Sequence, residues 1–180
     1  MTISTAAPLI SVLDEIRHSS HASAGFTTAL CGAAAAALGQ ACLGISGGQT
    51  DRLGLIVVGL VGWADNDANA LARLIALREQ GRAEEGWELL QEGPLAMAHL
   101  ACEGAELLQA FRPQVVDRVR DDLEFAVVLL AAAARAAMLI LESNLRQWRS
   151  PALHAKVGPQ ADRLAQRVSA LAPVEHIAWH

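Results

Sequence analysis

The chain has 180 residues and 19.0 kDa, the size of one ordinary domain with room for a sizeable core. Hydrophobic residues make up 53% of it but aromatics only 4%, with no tyrosine, so strand-favouring side chains are scarce and helix-forming alanine and leucine supply the apolar mass. A net charge of -5 and a single lysine, Lys156, exclude a nucleic-acid partner held by charge alone and leave a Schiff-base mechanism resting on one residue.

Taken in chain order, the apolar spacing predicts five or six helices. Leu9, Val12, Leu13 and Ile16 recur at helical intervals and place a first helix over 8–18. A polar turn, Ser19 to Gly25, carries serines suited to cap the next helix, which is expected over 26–45 with a stop at Gly47-Gly48. That second helix is dominated by Gly32, Ala33 to Ala37, Gly39, Ala41 and Gly44. Its small faces suit close packing inside the monomer or at a subunit interface. A third helix is expected over 50–80, bent near Trp63, its first half apolar nearly all round and so deeply buried. A fourth starts at Pro94, which suits a first turn, and runs to Phe111, with a short helical turn before it at 84–90. Arg112-Pro113 breaks the chain. A fifth helix begins at Val116 or Asp121 and ends at Trp148; Ser150-Pro151 breaks again, and a last helix covers 158–171. Short connections favour antiparallel neighbours. The expectation is an all-α, antiparallel up-and-down bundle forming a single domain over 1–180.

Cys31, Cys42 and Cys102 lie in apolar helical patterns without metal-like spacing and read as reduced core thiols of a cytoplasmic protein. The N-terminus lacks a basic leader and carries acids early, unlike a signal peptide. Two apolar segments bear on the membrane. Residues 27–44 are uncharged but rich in alanine and glycine. Residues 125–141 are more apolar yet hold Arg135. Both fit buried bundle helices better than spans, so no membrane partner is expected.

Three polar groups stand out against these apolar helices. The Ser23-Ala24-Gly25 turn opens a helix whose first N–H groups are unpaired, a setting for an anion or a carbonyl, or simply a capped loop. Asp65-Asn66-Asp67 follows a long apolar run. Carboxylates two apart do not share a helix face, so one at most points inward unless the helix breaks, where it suits a cationic substrate or proton transfer; the alternative is a solvated turn or an intrahelical ion pair. Asp121-Asp122 opens another apolar helix, where acids suit the helix dipole, with Arg135 and Asn144 further along. His18 and His21 flank the polar turn. His176 and His180 have metal-compatible spacing but sit in a tail, so no metal site is expected.

In order, these segments resemble the cyclodeaminase/cyclohydrolase family, which includes the C-terminal domain of formiminotransferase-cyclodeaminase and stand-alone methenyltetrahydrofolate cyclohydrolases. The resemblance runs over roughly 8–150. It is carried by VLDEIRHSSHASAGFTTALCGAAAAAL from Val12, GWADNDANAL from Gly62, GPLAMAHLACEGAELL from Gly93 and SNLRQW from Ser143. Family spacing, counted back from Asn144, points to Asp122. The resemblance implies a dimerising all-α bundle that acts on a one-carbon tetrahydrofolate derivative without a metal or redox cofactor. It implies catalytic roles for Asp67 and Asp122, and a substrate pocket lined by Ser23, Gly25, Asp65 and Asn144. The chain also departs from the family pattern. The Gly-rich turn has lost its proline and two glycines, Phe26 stands where a serine is usual, the lysines after the second helix are replaced by Gly47-Gly48-Gln49, and the element preceding the long helix has no clean counterpart. These departures put the substrate in doubt more than the scaffold. Three functions therefore stand open: a folate cyclohydrolase or cyclodeaminase, a relative catalysing another cyclisation or hydrolysis in specialised metabolism, and a non-catalytic helical binding protein.

Overall fold

The computed structural model describes residues 5–18 and 23–171; His21, His176 and His180 lie outside them. Six α-helices account for nearly all the described chain: α1 (Leu9–His18), α2 (Ala24–Ile45), α3 (Asp51–Glu79), α4 (Ala83–Phe111), α5 (Arg120–Gln147) and α6 (Pro151–Ser169). Two 3-10 turns, Arg112–Gln114 and Asp117–Val119, join α4 to α5, and no strand occurs among the described residues. The all-α, up-and-down bundle expected from composition and spacing is the fold observed.

Helices α2 to α5 form the body, each antiparallel to the next. Close approaches at glycine show the register. Along α2 and α3, Gly25 meets Asp67, Gly32 meets Leu60, and Gln40 meets Gly54. Along α3 and α4, Gly86 meets Leu74 and Gly59 meets Leu100, while Arg52 pairs with Glu103 at 2.6 Å. Along α4 and α5, Gly104 meets Leu130, Arg112 pairs with Glu124 at 2.7 Å, and the Trp148 indole donates to Glu84 at 2.8 Å. The ring closes where Gly32 of α2 meets Ala133 of α5. Small residues are what let these axes approach: Ala29, Ala35, Ala36, Ala98, Ala105, Ala126, Ala134 and Ala137 are all fully buried. Leucines and Ile56 fill the spaces between them, as a close-packed interior requires.

Two boundaries differ from the spacing-based expectation. The fourth helix is continuous from Ala83, with Pro94 inside it rather than at its start. A proline there cannot bond the carbonyl four residues back, a cost of about 3 kcal/mol in an isolated helix. Here Pro94 is buried in a helix packed against α3, α5 and α6, and tertiary contact outweighs the local defect. The last helix begins at Pro151, not at 158. Ser150 caps it by accepting from the Leu153 N–H at 3.2 Å, and Pro151 occupies its first turn. The Ser-Pro pair starts the helix as well as breaking the chain before it.

Helix α1 stands apart. Val12 is buried, but Leu9, Ile10 and Leu13 are exposed.

Candidate active site at the N-terminus of α2

The Ser23 side chain makes no capping hydrogen bond to α2, so the first amides of that helix lack the usual local acceptor. Asp67, reaching across from α3, supplies one: the Phe26 backbone N–H donates to its carboxylate. Position 25 makes room for it. A Cβ on Gly25 would lie 2.0 Å from Asp67 Oδ1, an impossible contact, so glycine is the residue that lets the carboxylate sit against the helix end. Burial raises the Asp67 carboxyl above its ordinary range, and the Phe26 N–H only partly offsets this. The result is a half-buried carboxylate at the positive end of a helix dipole, with a raised proton affinity.

Asp65, two residues earlier, faces another way. Its carboxylate accepts from the Thr5 backbone N–H at 2.8 Å and from the Thr5 hydroxyl at 2.9 Å, tying the N-terminal segment to α3. With Val58, Gly62, Trp63, Asn66 and Asn69 it lines an open cavity of about 520 Å3 on the outer side of α3. Trp63, Asn69 and Thr5 were not singled out by sequence reasoning. Gly62, Asn66 and Asn69 at helical spacing were the available signal; nothing in the sequence pointed to Thr5.

The remaining predicted residues divide between the two ends of the bundle. Because α5 runs antiparallel to α2, Asn144 in its last turn lies at the end that holds Ser23, Gly25 and Asp67; it is half-buried, and its backbone carbonyl accepts from the Trp148 N–H. Asp122 lies at the other end, exposed in the first turn of α5 and near enough to Cys42 to raise that thiol's pKa together with burial, the larger cause. Phe26 and Cys42 are separated by about 24 Å of helix at 1.5 Å per residue. One chain thus groups Ser23, Gly25 and Asp67 and holds Asp122 apart from them.

Other chemistry is less well placed. Burial pushes the Cys102 thiol up to about 11, with Glu106 adding to the effect, which disfavours a thiolate at neutral pH. Among the described residues, no group of three or more His, Cys, Asp or Glu is placed to hold a metal ion. A second open cavity, of about 570 Å3, lies where α5 meets α6 and is lined by Glu142, Leu145, Arg146, Arg149, Pro151 and His154.

No family model matches the sequence, and no curated protein matches it. The fold does match. The crystal structure of formiminotetrahydrofolate cyclodeaminase from Thermotoga maritima superposes with a TM-score of 0.84 over 92% of each chain, at 12% sequence identity. Motif order in the sequence and the course of the backbone thus meet on one scaffold: the chain has the helical fold of a formiminotetrahydrofolate cyclodeaminase.

Proposed function

We propose that this protein is a hydrolase or lyase acting on a one-carbon tetrahydrofolate derivative, with Asp67 as its central acid–base group. The observation that carries the reading is the Asp67 carboxylate: half-buried, with a raised pKa, and seated at the N-terminus of α2. The likeness of the fold to a formiminotetrahydrofolate cyclodeaminase supports a folate-type substrate. Hydrolytic opening of a methenyl bridge and closure of a formimino group with loss of ammonia both pass through a tetrahedral carbon bonded to nitrogen. Both demand that a proton move between oxygen and nitrogen and that cationic character be stabilised. A carboxyl with a raised pKa suits both tasks, since it exchanges its proton closer to neutral pH and, once ionised, opposes the substrate's charge. Gly25 borders this carboxylate, Ser23 stands at the N-cap of the same helix, and no step requires a metal or redox cofactor.

The test is purified protein with 5,10-methenyltetrahydrofolate, following loss of the methenyl absorbance, and in parallel with formiminotetrahydrofolate, following ammonia release. Acceleration over buffer that disappears in Asp67→Asn supports the reading. No acceleration with either substrate defeats it.

One observation favours a second reading, in which the scaffold serves a different cyclisation or hydrolysis. Phe26, where the family motif carries a serine, is 2% exposed, and its backbone N–H is the one that meets Asp67. It removes a hydroxyl and adds apolar bulk at the start of α2. Under this reading folate does not bind, while Asp67→Asn abolishes turnover of another cyclic amidine-like compound.

A further inference from the structure

The open cavity between α5 and α6 is basic in an otherwise acidic protein. It measures about 570 Å3 and is lined by Glu142, Leu145 and Arg146 from the last turns of α5, Arg149 from the link, and Pro151 and His154 from the first turn of α6. Two arginines and a histidine thus share a space with one carboxylate, while the chain as a whole carries a net charge of -5. Acids also leave these side chains largely unengaged. Arg52, Arg82, Arg112 and Arg167 each sit 2.6 or 2.7 Å from a glutamate oxygen. Arg146 stands 3.9 Å from Glu142, beyond hydrogen-bond reach. Among the described residues, neither Arg149 nor His154 has a hydrogen-bond or ion-pair partner.

These side chains select a class of ligand. A guanidinium fork matches the paired oxygens of a carboxylate or a phosphate, and its bonds to an ionised acceptor are about twice as strong as neutral ones. Either tautomer of the His154 ring adds one N–H donor. Helix α6 begins at Pro151, itself part of the lining, so the positive end of its dipole borders the same space and adds to the field of the arginines. Leu145 and Pro151 give the cavity an apolar wall for a carbon skeleton. Its volume also falls within the roughly 300–1,000 Å3 of small-molecule pockets, far more than a bare ion fills. A nucleic acid fits less well, because it calls for an extended basic stripe, and here Glu142 interrupts a short cluster.

We propose that the α5–α6 cavity binds a small organic dianion, a phosphate monoester or a dicarboxylate, held by Arg146 and Arg149 with His154 as a further donor. Both sources present the same chemistry, paired anionic oxygens on a short carbon chain. The cavity shares no lining residue with the Asp67 site, so the inference does not rest on the proposed function.

Isothermal titration calorimetry of the full chain, in low-salt buffer without phosphate, reads the site with three probes: glycerol 3-phosphate, glutarate and inorganic phosphate. At least one organic probe is expected to bind one to one with a Kd of about 1 mM or below. Tighter binding of glycerol 3-phosphate assigns the phosphate monoester, and tighter binding of glutarate the dicarboxylate. Arg146→Gln and Arg149→Gln are each expected to weaken the bound probe about tenfold or more, as loss of a charge-assisted pair requires. Arg163→Gln, exposed on α6 but outside the lining, is expected to leave binding unchanged. Circular dichroism checks that the variants are folded; the replaced arginines are exposed. No binding of either organic probe at about 10 mM overturns the proposal. So does binding of inorganic phosphate with no gain from the organic probes, which marks an adventitious ion only. Binding that survives both glutamine variants, or that Arg163→Gln weakens equally, overturns it too. No arm uses folate, so these results and the folate assays fail or succeed separately.

Discussion

Gly25 and Asp67 occupy the same space by turns: the volume that any side chain at position 25 would fill is taken by the Asp67 carboxylate, whose Oδ1 lies 2.0 Å from where a Cβ would stand. The relationship ties a backbone feature of α2 to the most chemically distinctive group on α3. Gly25→Ala must therefore push Asp67 off the Phe26 N–H. The expected outcome is a loss of about 1–3 kcal/mol in stability, as for other overpacked sites, accompanied by loss of turnover. Urea denaturation and the methenyl assay check both. A variant that keeps wild-type activity would show that Asp67 works from another position.

Asp67→Asn separates stability from chemistry. Burial raises the native carboxyl above its ordinary value, so the folded state holds this proton more tightly than the unfolded chain does. The contribution to stability is therefore fully present below the unfolded pKa and is lost as pH rises through the folded one. Asparagine resembles the protonated acid in shape and still accepts from Phe26. At pH 7 the variant is expected to be at least as stable as the wild type, and the difference is expected to vanish in acid, while activity is abolished. Denaturation midpoints at pH 4 and pH 7 decide it; marked destabilisation at pH 7 would contradict the desolvation account.

Glu84 fastens the junction between α5 and α6. It accepts from the Trp148 indole at 2.8 Å and from the Ser150 hydroxyl, and both bonds hold its carboxyl below the ordinary range, Ser150 most. Trp148 in turn stacks on Trp87, with centroids 5.9 Å apart and planes 14° from parallel. Here the linkage has the opposite sign: the stabilisation is present above the unfolded pKa and is lost as pH falls through the folded one. Glu84→Ala is expected to lower the melting temperature and shift tryptophan emission at neutral pH. In the wild type the same emission shift is expected only in acid. Identical emission from variant and wild type at pH 7 would mean that the stack holds without the carboxylate.

What was legible in the sequence followed from short-range rules. Helix-forming composition, the scarcity of aromatics and the breaks at glycine and proline reveal the bundle, because each of these acts within a few residues. Pro94 was misleading because its place inside α4 depends on packing from α3, α5 and α6, which no local rule contains. Asp67 was visible as an acid following an apolar run, and Gly25 as a relic of a Gly-rich turn. Their mutual contact was not, since it depends on the register between α2 and α3. Asp122 shows the same limit from the other side. The family resemblance pairs it with Asp67 in a catalytic role, whereas the antiparallel course of α5 sets it near Cys42.

The small-residue face of α2 makes a prediction of its own at Gly39. A Cβ there would stand 2.6 Å from Leu108 Cδ1 and 2.9 Å from Cδ2, and Leu108 is fully buried. Leu108 projects from α4 into the notch, so the two residues form a knob and its hole across the bundle. Gly39→Ala adds volume to a filled site and is expected to cost about 1–3 kcal/mol. Leu108→Ala empties it and is expected to cost about 2–5 kcal/mol. In the double variant the added methyl occupies part of the space that the leucine leaves, so the combined loss should fall short of the sum by about 1 kcal/mol or more. Chemical denaturation of the four proteins measures that coupling. Strict additivity would mean that α2 and α4 shift apart rather than pack at this point, and would remove the reason for glycine at position 39.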